Sequence, residues 1–263
     1  MISVRRMAAL IQQEWFISKR SLEVIMDVPF FSAIDVVLFG FVSIYLLGSS
    51  NALYGQYLLL GAMLWEVIRV TQYSMSVSSM WNVWSRNLSN MFIAPISLTE
   101  FVLSSVLSAI FKSLLIIFGL AGLAYMLFQF NIFVMGFWPF LWYSFNLAVF
   151  GCTVGLALLG LIFRYGTRIQ ALAWALIFLF QPLCATYFPV DVLPPALRLV
   201  AYVLPPSYFF EGARASLTTG SIDWSTQWWG IILNLVYGLI GFGLFRFFYN
   251  RARVTGQMAR LEN

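Results

Sequence analysis

Six stretches of mostly apolar residues, each about 20 or more long, recur along the chain, and no other feature limits its fold so tightly. A helix needs ~20 such residues to cross ~30 Å of hydrocarbon with every backbone polar group satisfied inside the segment. The stretches lie near Pro29 to Leu47, Tyr57 to Val77, Phe101 to Phe128, Phe133 to Phe163, Ile169 to Phe188 and Trp228 to Phe248. The expected fold is all-α, a polytopic membrane protein with six transmembrane helices. The fourth stretch is too long for a bilayer at ~1.5 Å per residue, so a tilt or break is expected near Gly136 and Pro139.

Composition excludes the soluble alternative. Of 263 residues 61% are hydrophobic and 10% charged, and the mean hydropathy is +0.86. Fifteen basic and 10 acidic side chains cannot coat a water-facing surface of this size. Histidine is absent, which removes Ser-His-Asp and Cys-His catalysis, HExxH zinc sites and histidine pH switching together. Cys152 and Cys184 sit inside apolar runs and offer neither a disulfide framework nor a CxxC site. No cofactor or metal is expected on this chain. The net charge of +5 is read by position, as membrane topology, and gives no nucleic-acid partner.

With the N-terminus inside, Arg5, Arg6, Lys19, Arg20, Arg86, Arg164, Arg168, Arg246, Arg251, Arg253 and Arg260 fall on the cytoplasmic side. Arg198 and Arg214 fall outside, and Arg69 and Lys112 lie within spans. This bias places both termini in the cytoplasm. Gln12, Gln13 and Glu14 interrupt the early apolar residues, so no cleavable signal peptide is expected.

Three segments lie outside the spans. Residues 1–28 form an amphipathic interface helix, with Val4, Ala8, Ile11, Trp15, Leu22 and Ile25 at three- and four-residue steps and Pro29 ending it. It either rests on anionic lipid or also docks a cytoplasmic partner, and the pattern alone favours the lipid surface. Residues 78–100 carry Trp81, Trp84, Arg86, Asn87 and Asn90 ahead of a Pro95-Ile96-Ser97 turn, as an aromatic belt or a helix shown to another protein would. Residues 189–226 are punctuated by Pro189, Pro194, Pro195, Pro205 and Pro206. Ala196 to Leu204 and Tyr208 to Leu217 are apolar enough to dip into the outer leaflet as two short helices, an outer re-entrant hairpin. The six-helix transmembrane body is residues 29–263.

An ionisable group in a span is costly unless paired or hydrated. Glu66 and Arg69, three apart on one helix, are expected to neutralise each other, fixing packing or dimer register or else touching substrate. Asp35 follows Pro29 closely enough to sit at the interface without a special role, and Lys112 is expected to find Asp35 or Glu66. Trp65 and Tyr73 bracket the ionic face, as on an amphiphile-conducting surface. Gly151 and Gly155 have GxxxG spacing, read as internal packing.

Six spans, an amphipathic first helix, the stretch WSRNLSNMFIAPISLTEF and the outer stretch FPVDVLPPALRLVAYVLPPSYFFEGAR together resemble the type 2 permeases of ATP-binding-cassette exporters. The resemblance covers nearly the whole chain. Its most specific parts are Asn87 to Glu100 and Phe188 to Arg214, the latter with Pro189, Pro194, Pro205, Glu211 and Arg214. It implies a plasma (inner) membrane homodimer that recruits two ABC ATPase subunits through the first helix and the loop between spans two and three. That puts ATPase coupling at Arg86, Asn87, Leu88 and Asn90. Spans two and five resemble those at the family's dimer interface, making Trp65, Glu66, Arg69, Tyr73, Phe178 and Gln181 the candidate path. No GxxxxGK[ST] occurs, so this chain is not an enzyme and the triphosphate must bind elsewhere.

The expected cargo is an amphiphile such as a drug, lipid or glycan-lipid. Polysaccharide or lipo-oligosaccharide export is the alternative within the family. A proton- or ion-coupled carrier using Asp35, Glu66, Arg69 and Lys112 is the alternative outside it, although internal repeats are lacking. An intramembrane enzyme is disfavoured by the absence of histidine and of any nucleophile-base spacing. A membrane scaffold would leave the outer hairpin unexplained.

Overall fold

The computed structural model describes residues 3–47, 52–84 and 96–255. Among these the chain is helical almost throughout and has no strand. Helix α1 is Val4–Arg20 and α2 is Leu22–Ile25; a π-helical turn, Met26–Phe30, leads into α3, Phe31–Leu47. Then come α4 (Ala52–Trp84), α5 (Leu98–Phe128) and α6 (Phe137–Tyr165). They are followed by α7 (Gln170–Leu183), α8 (Pro195–Val203), α9 (Pro205–Thr219) and α10 (Trp224–Val254).

Among the described residues four helical stretches are long and apolar enough to cross a membrane: Leu22–Leu46, Leu98–Phe128, Phe137–Tyr165 and Trp224–Val254. The remaining expected spans fall short for different reasons. Helix α4 has 33 residues, but Glu66, Arg69, Gln72 and a run of hydroxyls dilute its apolar content. Helix α7 has 14 residues, ~21 Å of helix, which is short of the hydrocarbon thickness.

Two expected breaks have specific outcomes. The fourth stretch breaks at Gly136, whose φ of +94° lets a 3₁₀ turn, Ile132–Met135, end where α6 begins. Pro29, expected to stop the first helix, instead sits inside the π-turn, and the break comes at Ser21. Ser21 is extended and its hydroxyl accepts from Val24 N, starting α2. The π-turn is the local adjustment that carries the helix past a ring lacking an N–H donor.

Helix α4 is the axis of the fold: from Leu59 to Ser76 it is buried on all sides by its own chain. Helix α6 packs along it through the two glycines of the GxxxG spacing. A β-carbon on Gly151 would lie 2.0 Å from Thr71 Oγ1, and one on Gly155 would lie 2.5 Å from Met75 Cβ. Only hydrogen leaves the two backbones room to touch, so the expected internal packing is what the spacing supplies. Helix α10 closes the other side of α6, where Asn234 Nδ2 donates to Asn146 O at 3.0 Å. Between α7 and α10 the chain forms α8 and α9, with Pro195 opening the first and the Pro205-Pro206 pair the second, as their fixed φ and missing donors favour.

Candidate functional site

The 27-31-35-39 spacing places Asp27, Phe31, Asp35 and Phe39 on one side of the π-turn and α3. Across from them α7 presents Trp174 and Phe178, four apart. Between the two rows, over α4, lies a cleft of about 350 Å³. Arg69, Gln72 and Tyr73 form its floor, and Asp27, Phe31, Asp35, Trp174 and Phe178 its walls. Gln72 Nε2 donates to Ala173 O at 2.9 Å, tying α7 to the floor. Tyr73 and Trp174 meet edge to face with ring centres 5.3 Å apart. Further along α3, Phe39 stacks on Tyr187 at 4.5 Å, and Gln181 Nε2 donates to the Tyr187 hydroxyl.

The expected Glu66–Arg69 pair exists and is the centre of a larger network. Arg69 Nε donates to Glu66 Oε1 at 3.0 Å and Oε2 at 2.9 Å, and Nη2 reaches Oε2 at 2.6 Å. Arg69 Nη1 donates to Asp27 O at 2.8 Å, and Nη2 to Ser32 Oγ at 2.7 Å and Val28 O at 3.3 Å. The Ser32 hydroxyl, next to both Glu66 and Val28 O, can give its one proton to either. A π-turn shifts the helical register and leaves a carbonyl short of a backbone donor. The planar guanidinium, with five N–H groups in a fixed fork, supplies donors there and holds the carboxylate as well. Tyr73 OH donates to Asp27 Oδ2 at 3.0 Å, and Asp35 lies beside Glu66 and Arg69.

Sequence-derived site residues therefore separate into groups. Arg69, Tyr73 and Phe178 line one cleft. Trp65 and Glu66 are enclosed in the protein, Trp65 fully within the apolar core, and neither is among the cleft-lining residues. Gln181 stands beyond the cleft in its bond to Tyr187. Arg86, Asn87, Leu88 and Asn90 lie outside the described residues. Sequence reasoning passed over Ser32, Asp27 and Trp174, and placed Asp35 at the interface, beside Lys112 or in an ion relay rather than in the cleft wall. The four-residue spacing from Asp27 to Phe39, and from Trp174 to Phe178, was the available signal.

Lys112 corrects an expectation: its partner is neither Asp35 nor Glu66 but Glu14 of α1, at 3.1 Å. Helix α1 lies alongside α5 and runs in the same direction, so residues about 97 apart face each other. Trp15 meets Phe111 edge to face at 6.1 Å beside the pair. Burial pushes the Glu14 carboxyl above the ordinary glutamate range, while Lys112 and the Ser108 and Ser105 hydroxyls pull it back. At the start of both helices, Glu100 joins α1 to α5. Its carboxylate accepts from Ser97 N at 2.7 Å, closing a capping box, and from Ser3 N at 2.7 Å.

On α9 Arg214 is 3% exposed. Its Nη2 donates to Ala185 O at 3.0 Å and Glu211 Oε1 at 3.1 Å, and Nη1 to Thr186 O at 3.2 Å. Glu211 Oε1 also accepts from Val190 N at 2.6 Å, just after Pro189. Ala185 has φ +50°, a left-handed conformation that a side chain disfavours. Pro194 caps α8 and Pro205 opens α9, away from the arginine's contacts.

A family model described as ABC-2 type transporter matches residues 6–218, most of the chain. No curated protein matches it.

Proposed function

The chain belongs to the ABC-2 type transporter family, and on that premise we propose that two copies form an exporter moving an amphiphile outward past the cleft between α3 and α7. Membership makes the chain a membrane-embedded transport subunit, with ATP hydrolysis on separate ABC ATPase subunits. The dimer, the outward direction, the amphiphilic cargo and two ATPases per dimer are the proposal.

The observation that carries it is the cleft. Ionic and aromatic groups share one surface there, as an amphiphile with a polar head and an apolar body requires. It opens on the flank of the chain between two helices whose outer faces are apolar and uncovered, including Phe31, Ile34 and Leu38 on α3 and Phe178 and Leu179 on α7. A second copy facing this flank would turn an open cleft into an enclosed passage. Helix α4, enclosed from Leu59 to Ser76, contributes the floor of the cleft through Arg69, Gln72 and Tyr73.

In this reading six helices span the plasma membrane, α8 and α9 form the outer re-entrant hairpin, and both termini are cytoplasmic. The ATPases engage α1 and the segment around Arg86, Asn87, Leu88 and Asn90. Two features support that placement. Glu100 binds the start of α1 to the start of α5, so load on either helix reaches the other. Helix α4 is one 33-residue rod leading from that end to Arg69. Nucleotide-driven closure would bias the population between two arrangements of the cleft and supply no chemistry within it.

The test is a cysteine substituted at Leu179, in membranes holding both subunits. The native Cys152 and Cys184 are buried and give little background. Oxidation should yield a cross-linked dimer whose ATP-driven export stops and returns on reduction. A chain that stays monomeric, or a cross-linked dimer that exports normally, would contradict the reading.

A further inference from the structure

A second cavity, of about 360 Å³, lies where α1 turns into α2 and faces α5. Its charged lining residues are Lys19 and Lys112, with no carboxylate among them. Trp15 and Ser18 complete the polar rim. Beneath the rim the wall is mostly apolar, made by Leu115 and Ile116 of α5, Val24 and Ile25 of α2 and Val28 and Pro29 of the π-turn, with Tyr73 and Ser74 of α4 as its polar members. Leu115 is 52% exposed, so the apolar wall is continuous with the outer face of a spanning helix.

Depth decides what can occupy such a place. Helix α5 has 31 residues, ~46 Å at 1.5 Å each, and exceeds ~30 Å of hydrocarbon by roughly 16 Å. Polar residues on it are concentrated before Lys112: Ser104, Ser105 and Ser108 are buried in the part that α1 accompanies, and from Leu114 onward the helix is apolar. The hydrocarbon boundary therefore falls close to Lys112. Trp15 and Lys112 lie at that level, and Lys19, about one turn further along beside Ile116, can reach it along its flexible stem, so an indole and two ammonium groups over an apolar wall match the layering of a phospholipid, with phosphate above acyl chain. An acidic peptide would meet the charges but not the apolar wall below them. One of the three donors on Lys112 is taken by Glu14. Among the described residues the others, and all three on Lys19, have no hydrogen-bond partner and remain for an oxygen-rich anion.

We infer that this groove binds the head group of an anionic phospholipid through Lys19 and Lys112, with Trp15 at its rim and an acyl chain along Leu115 and Ile116. The lipid would bridge α1 to α5 and so help hold the first helix against the membrane body. Tyr73 lines both this groove and the cleft over Arg69, but Lys19 and Lys112 belong to the groove alone, so the inference stands whether or not that cleft conducts cargo.

Native mass spectrometry of the detergent-purified full chain, titrated with dioleoyl-phosphatidylglycerol or dioleoyl-phosphatidylcholine, tests it. The first bound phosphatidylglycerol should be favoured over phosphatidylcholine, and Lys19→Gln should reduce that preference by about fivefold, the effect of one lysine near a lipid surface. Lys19→Arg should keep it. Lys112→Gln leaves Glu14 buried without its partner and can fail to fold, so Lys112 is tested as Glu14→Gln with Lys112→Gln, which should also lose the preference. Arg253→Gln, an exposed charge on α10 away from the groove, should leave it intact. Equal binding of the two lipids by the unaltered chain would overturn the inference. So would a loss with Arg253→Gln as large as with Lys19→Gln, or complete displacement of phosphatidylglycerol by equimolar glycerol 3-phosphate.

Discussion

Arg69 on α4 and Arg214 on α9 each pair with a glutamate three residues earlier, and each donates to two backbone carbonyls of an irregular turn. The surroundings differ. Glu66 is 1% exposed and shares its oxygens with Arg69 and Ser32, beside the cleft. Glu211 is 41% exposed, accepts from Val190 N, and can reach water. The Arg69 network therefore holds a charge that has nowhere else to go, whereas the Arg214 network fastens a loop. The same sequence pattern, Glu-x-x-Arg, thus serves a pivot beneath the proposed path in one place and a structural clip in the other.

Substitutions should expose that difference. Arg69→Gln leaves Glu66 buried and unpaired, and we expect a loss of about 3–5 kcal/mol in detergent unfolding experiments. Adding Glu66→Gln should restore part of it, because the stranded charge is removed along with its partner. Strictly additive losses would show that the two groups act independently. Lys112→Gln should be next, with Glu14 again stranded but nearer the surface, and Glu14→Gln should likewise rescue it.

Arg214→Gln should cost less, about 1–3 kcal/mol, through the Ala185 and Thr186 carbonyls losing their donors while Glu211 hydrates. A loss matching that of Arg69→Gln would erase the distinction between pivot and clip. The smallest expected effect is Ala185→Gly, a gain of up to about 1 kcal/mol from relief of the left-handed conformation, offset by the extra freedom of glycine when unfolded. A destabilised Ala185→Gly variant would mean that the methyl packing outweighs the backbone term.

The hydrophobic runs made the helices legible because burial in lipid imposes length and composition together. Gly151 and Gly155 were read correctly as a packing pair, since close backbone approach requires small residues at four-residue spacing. The Glu66–Arg69 pair followed from helix geometry alone. What escaped was long-range: no local rule says that Lys112 meets Glu14, 98 positions away, because that depends on α1 running alongside α5 rather than resting elsewhere. The passage of the helix through Pro29 escaped too, since the π-turn that permits it is stabilised by Arg69 from another helix. Trp65 neighbours an ionic pair in sequence, but from Leu59 to Ser76 α4 is buried within the chain, and Trp65 lies in the apolar core rather than among the residues that line the cleft.

The most direct test of the whole account is energy coupling in sealed inside-out vesicles that hold this subunit and its ATPase. Uptake of a fluorescent phospholipid is followed with ATP, with a non-hydrolysable analogue, and with a proton gradient alone. Uptake is expected only with hydrolysable ATP and should be lost when the ATPase is omitted. Uptake by this subunit alone, without nucleotide and following the proton gradient, would contradict it.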